Sequence, residues 1–246
     1  MGLDMTVSLG GENLKENEEN SFYYRLNWSG VSYENSFMFG IAQHILGLTK
    51  KVSKRDIKKR GVYLVTGQES DWFNGTYNST HVVYGKSIRN VNHKNMIKIR
   101  SGFRPNFISV YKIYEINPEH SLPSAVSLVG LNAWHGSNGE VYFLEKEDNG
   151  DILFKTVEYI PVEDAAENEP DYREEEQLIS TLDEAAQRKF LTLLKQTIST
   201  LENLKNLHSD HPNYNEYIVE NNLTILKMML RFFEDQAVET FTVSYG

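Results

Sequence analysis

The spacing of apolar residues shifts to a helical period over a long stretch near the C-terminal end, and that shift constrains the fold more than any other feature. Through the first two thirds, short apolar runs mostly alternate with polar residues, the period of strands. Near the C-terminal end, Leu191, Leu194, Ile198 and Leu201 fall at helical intervals. Ile218, Asn221, Ile225, Met228 and Phe232 follow at the same kind of spacing after a short loop, His208 to Pro212. Each stretch is preceded by a capping-box pattern, Thr181-x-x-Glu184 and Asn213-x-x-Glu216, in which the two side chains satisfy free amides of a first turn. Two long amphipathic helices with a short loop predict an antiparallel helical hairpin. Phe37, Ile41, His44/Ile45 and Leu48 predict one early helix by the same criterion.

Strands are expected over 3–9, 22–28, 61–66, 81–84, 96–100 and 107–116. A hairpin is expected from 141–145 and 152–156 around Asp148-Asn149-Gly150, because Asn-Gly supplies the backbone angles of a tight turn. Residues 50–60 read as a basic helical stretch, and 71–80 as a polar loop. The chain opens with Met5-Thr-Val-Ser-Leu-Gly10 and closes with Phe241-Thr-Val-Ser-Tyr-Gly246. This shared alternation predicts that both termini are strands of one sheet. The expected fold is α+β: a mainly antiparallel sheet, one early helix, a C-terminal antiparallel helical hairpin, and strands at both ends. The expected division is a sheet domain over 1–162, an acidic linker over 163–178, the helical hairpin over 179–236 and a terminal strand over 237–246. The linker is expected because 163–176 holds eight acids, one base (Arg173) and Pro170, with little to bury.

Charge is sorted along the chain. Residues 43–104 carry thirteen Lys or Arg against three acids, whereas the whole chain has a net charge of −9. Such sorting presents surfaces of opposite sign and steers charged partners. The absence of cysteine excludes disulfides, thiol nucleophiles and cysteine-ligated zinc. The opening residues lack a basic region followed by an apolar run, and no apolar stretch has membrane-spanning length, so a cytoplasmic protein is expected. Its Asn/Lys/Ile-rich style suggests a bacterial or phage source.

No glycine-rich phosphate loop, serine-nucleophile elbow or zinc-protease helix stands in the sequence, so no catalytic residue and no cofactor is nominated. The strongest candidate is the run Lys50, Lys51, Lys54, Arg55, Lys58, Lys59 and Arg60, suited to nucleic-acid phosphates or to an acidic partner. The competing reading is a solvated face answered by the acidic segment. Trp72 and Tyr77 are candidate aromatic contacts within the basic block. His208, Asp210 and His211 share one loop and are the only candidate metal ligands singled out, against a plain polar turn. The leading function is a non-enzymatic protein–protein interaction factor, of accessory, inhibitor or immunity type. The alternatives are nucleic-acid binding through 50–60, or an enzyme in the strand-rich middle using His81, His93 or His135. The hairpin is a candidate homodimer surface.

Overall fold

The computed structural model describes residues 2–15, 19–27, 33–71, 75–91, 95–101, 104–128, 141–149, 151–160, 171–179 and 184–245. Among these, twelve strands form two antiparallel sheets. The chain divides into two compact units. The first comprises Met1–Ser32, Ala125–Lys205 and Glu216–Gly246, and the second Tyr33–Ser124 and Asn206–Asn215.

The first unit holds β1 (Gly2–Gly10), β2 (Ser21–Asn27), β9 (Val141–Lys146), β10 (Ile152–Ile160), β11 (Asp171–Ile179) and β12 (Thr240–Tyr245). Their order in the sheet is β11-β10-β9-β12-β1-β2. The last strand therefore lies in the middle of the sheet beside the first, as the terminal echo predicts. On β1, Met5, Val7 and Leu9 are buried, and on β12 Phe241, Val243 and Tyr245 are buried, so each strand turns one apolar face to the core. The expected hairpin is present, with β9 and β10 paired antiparallel and Asp151 N–H bonded to Asn149 Oδ1 at 2.9 Å in the turn.

Two long helices, α3 (Glu184–His208) and α4 (Glu216–Glu234), complete this unit together with a short helix, α2 (Ala125–Leu128). Of the expected stripes, Leu194, Ile198 and Leu201 on α3 and Ile218, Asn221, Ile225, Met228 and Phe232 on α4 are buried, while Leu191 is half-buried. Helix α4 packs on β1, β2 and β12, and Phe232 meets Phe241 at 6.1 Å between ring centroids. Lys195–Glu234 and Lys227–Glu202 ion pairs lace the outer side of the two helices, each exposed and worth little alone. Asn222 is fully buried, accepts the Ala125 N–H at 2.7 Å and donates to the Ile218 carbonyl at 2.8 Å, which anchors the start of α2. The capping box at Asn213 does not form: α4 starts at Glu216, and the Asn213 N–H is bound instead by His211 Nδ1. The box expected at Thr181 lies outside the described residues.

The second unit holds β3 (Lys50–Val52), β4 (Val62–Asp71), β5 (Gly75–Tyr84), β6 (Ile88–Asn90), β7 (Met96–Ser101) and β8 (Arg104–Ile116), in the order β5-β4-β8-β7-β6 with β3 also on β8. One sheet face carries Tyr63, Val65, Val83, Ile97, Ile99, Ile108 and Ile113 as a continuous core. The other face is roofed at one end by the early helix, here a π-helical turn, Phe37–Ile41, running into α1 (Ala42–Ile45). Gly40 lets this helix approach closely, since a β-carbon there would lie 2.6 Å from Ile116 Cδ1 and 2.8 Å from Val82 Cγ2.

Four expectations are corrected. Residues 1–162 are not one sheet domain: the compact units cut across that range, and the sheet strands fall into two separate ladders. Residues 171–179 of the expected acidic linker are β11, an edge strand whose register sets Glu176 opposite Lys155 and Arg173 opposite Glu158. A strand at a sheet edge tolerates, and is protected by, a high density of charge. Residues 161–170 of that linker lie outside the described residues. The expected loop over 71–80 is largely a hairpin of β4 and β5, because cross-strand polar pairs such as Ser70–Thr76 at 3.1 Å hold it where apolar alternation is missing. Residues 50–60 are not helical: Lys50–Val52 is a strand and Lys54–Asp56 a single 3-10 turn. Val52 and Ile57 pack on the core, which pulls this segment out as a strap across the sheet.

Candidate functional site

The strap explains where its bases go. With Val52 and Ile57 turned inward, Lys50, Lys51, Arg55, Lys58, Lys59 and Arg60 are exposed, and Lys54 is half-buried above the Tyr111 ring at 5.8 Å. Among the described residues none of the seven makes a salt bridge. Asp56 is occupied by its own turn: Ser53 donates to it from Oγ at 2.6 Å and from the backbone at 3.1 Å. Those bonds, helped by Lys50 and Arg55, hold the Asp56 carboxyl below its ordinary value.

Strand register assembles a second basic surface. Directly paired residues share a sheet face. Lys51 pairs with Tyr114, Thr66 with Lys112, Gln68 with Ser109, Lys98 with Phe107 and Arg89 with Lys98. Arg100 lies two residues from Lys98 and shares its side. Five bases, Lys51, Arg89, Lys98, Arg100 and Lys112, thus lie on the face opposite the apolar core. None of the strand positions on that side, among the described residues, is an acid. The strand acids Glu69 and Glu115 take the other side, since they pair into the rows of Ile108 and Tyr63. Phe107 is 47% exposed on the basic face, with the Lys98 ammonium 5.4 Å from its ring centre. The alternation of Lys98 and Arg100 with Ile97 and Ile99 carries this signal in the sequence. The union with Lys51, Arg89 and Lys112 exists only once the strands are paired.

A cleft of about 510 Å³ adjoins this face where the roof of the early helix stops. Thr66, Gln68, Asn78, Thr80 and Lys112 form its sheet side, and Tyr114 borders it. His44 enters from the end of α1, and His211, Pro212 and Asn213 from the 206–215 segment. Gly47, with φ +72°, turns the chain back after α1. That turn brings Thr49 Oγ1 to 3.0 Å from His44 Nδ1. The His44 ring lies against Tyr114 at 4.3 Å between centroids and meets His211 edge-on at 6.0 Å. Burial, then the neighbouring His211 and Lys112, hold the His44 pKa below its ordinary value of 6.5. His211 Nδ1 accepts the Asn213 N–H at 3.1 Å, so the neutral ring carries its proton on Nε2. Among the described residues no carboxylate lines the cleft.

The remaining candidates separate. Tyr77 is on β5, exposed, and donates its hydroxyl to Glu69 Oε2 at 2.9 Å. Glu69 is buried and also bonds His81 Nε2, so His81 belongs to a carboxylate–imidazole–phenol cluster. Trp72, His93 and His135 lie outside the described residues. Among the described residues no three His, Asp or Glu side chains gather into a metal-binding group, so His208, Asp210 and His211 are not joined by a further ligand. His211 instead faces His44, a partner that no spacing in the sequence indicates. Among the described residues no helix is long and apolar enough to cross a membrane.

The chain matches no protein-family model, and neither a curated protein nor a solved structure is detectably similar to it.

Proposed function

We propose that this chain is a non-enzymatic binding protein whose second unit takes single-stranded nucleic acid on the basic face of its sheet. One observation carries this reading: five bases share a face without a strand acid, around an exposed phenylalanine. Lys and Arg neutralise phosphates, while an aromatic ring on a sheet offers a stacking surface to an unpaired base. A duplex is disfavoured, because its major groove is read by a helix or a two-stranded ribbon and the basic segment 50–60 is no helix. The test is fluorescence anisotropy of the full chain with labelled single-stranded and duplex oligonucleotides over a salt series. Single strands bind more tightly than duplex, and affinity falls with salt by a slope of roughly 0.7 per phosphate neutralised. Negligible binding at low salt overturns the proposal.

A second reading keeps the expected interaction factor, with an acidic protein as partner. The strap favours it, since among the described residues its seven bases make no salt bridge and six of them are exposed. Salt-sensitive capture of an acidic polypeptide such as polyglutamate, without affinity for oligonucleotides, selects this reading over the first.

A further inference from the structure

Resting on the nucleic-acid reading, we infer that the cleft between His44, Lys112 and His211 seats a phosphate monoester, the terminal phosphate of a bound strand or that of a mononucleotide. Lys112 and two imidazoles line one small volume, and among the described residues no carboxylate borders it. Burial first, then His211 and Lys112, disfavour the charged form of His44. A dianion placed among them attracts Lys112 and favours the protonated form of His44. A monoester carries close to two charges near neutral pH, with its second pKa near 6, whereas an internal diester carries one. A lysine cation flanked by two imidazoles, of which His44 can gain a proton beside a dianion, therefore matches an end group better than a link in the chain.

The uncharged lining suits the same ligand. His211 offers Nε2–H, because Asn213 occupies its Nδ1. His44 has Nε2 left for a ligand, because Thr49 occupies its Nδ1. Thr66 and Thr80 add hydroxyls, and Gln68, Asn78 and Asn213 add amides that pair with phosphate oxygens or with the edge of a base. The volume of about 510 Å³ is in the range of small-ligand sites. The cleft also continues the basic face, since Lys112 and Thr66 belong to both. A strand lying along the sheet can thus end in it.

The experiment uses the full chain and two readouts. The imidazole resonances of His44 and His211 are followed by NMR during titration with inorganic phosphate and then with adenosine monophosphate. Separately, one oligonucleotide is compared with and without a terminal phosphate, at its 5′ and at its 3′ end. Both phosphates shift the two histidine resonances and raise the pKa of His44. One phosphorylated strand binds about tenfold tighter than its hydroxyl-ended twin, equivalent to about 1.4 kcal/mol. H211Q and, independently, H44Q bring that ratio close to one. The ratio is insensitive to a general loss of sheet-face contacts, and a retained circular dichroism spectrum shows that each variant folds. Equal affinity of all strand ends, with histidine resonances unmoved by either phosphate, overturns the inference and leaves strand binding standing. Histidine shifts with both phosphates, without affinity for any strand, overturn the strand reading and assign the cleft to a mononucleotide. Strand discrimination that survives both substitutions also overturns the inference.

Discussion

Val7 of the first strand lies directly opposite Val243 of the last, with Thr6 against Ser244 and Ser8 against Thr242 on either side. The two Thr-Val-Ser segments at the ends of the chain are therefore antiparallel partners centred on a valine pair. Because β12 also pairs with β9, it joins β1 and β2 to the other three strands of the sheet. Val243 is 2% exposed, so V243D places an unpaired carboxylate in the core and lowers stability by several kcal/mol. Deleting residues 240–246 removes two ladders at once and abolishes cooperative unfolding of this unit. Denaturant titration checks both. A midpoint unchanged by the deletion contradicts the pairing.

In the helical hairpin, Leu194 is 0% exposed and Leu193 beside it is 40% exposed. L194A leaves a cavity and costs about 2–5 kcal/mol. L193A changes stability by less than about 0.5 kcal/mol, as surface substitutions do. Comparing the two unfolding midpoints tests the helical phase, since a stripe misplaced by one residue reverses their order.

Gly40 is a test of close packing in the second unit. G40A drives a methyl group into Ile116 and Val82 and costs about 1–3 kcal/mol. Combining it with I116V removes the nearest atom, Cδ1. The double variant is then less destabilised than the sum of the single ones, because neighbouring sites couple. Strict additivity in a double-mutant cycle contradicts the contact.

His44 links stability to pH. Its pKa in the folded chain is held below the ordinary 6.5 by burial, His211 and Lys112. Between those two values the unfolded chain binds a proton that the folded chain does not. Stability is therefore full above about pH 6.5 and falls as pH drops through that window. H44Q flattens this part of the stability–pH curve measured by chemical denaturation. A wild-type curve that rises on acidification through the window reverses the assigned sign.

On the basic face, F107A removes a stacking ring and no charge. Affinity for a single strand falls by about 1–3 kcal/mol while the salt slope stays as in the parent. K98A instead lowers the slope by roughly 0.7 per lost phosphate contact. Anisotropy titrations at several salt concentrations separate the two effects, and an unchanged affinity in F107A removes Phe107 from the strand's path.

Most elements are legible without the structure because their signals are local. The stripes of α3 and α4, the early helix at Phe37 and Ile41, and the alternation of β1 and β12 each report a period that one face of one element must satisfy. The errors arise where local signals conflict with pairing. Polar residues at 76–80 and acids at 171–176 look like loop and linker, yet each segment is a strand because a neighbouring strand supplies its hydrogen-bond partners. The bases of 50–60 suggest a charged helix, but Val52 and Ile57 are two inward anchors that suit a strap.

The candidate site was half legible for the same reason. The basic block at 43–104 is plain in the sequence, but Lys51, Arg89, Lys98 and Lys112 come together only through cross-strand register. His44 and His211 are 167 positions apart, and no spacing rule connects them. Periodicity along the chain determined which residues turn inward and which turn outward, because that choice depends on each element's own geometry. Which outward residues meet on one face, and that two imidazoles and a lysine converge on one cleft, was decided by tertiary structure alone. Register and loop position place distant residues in contact, and neither is set by any local segment.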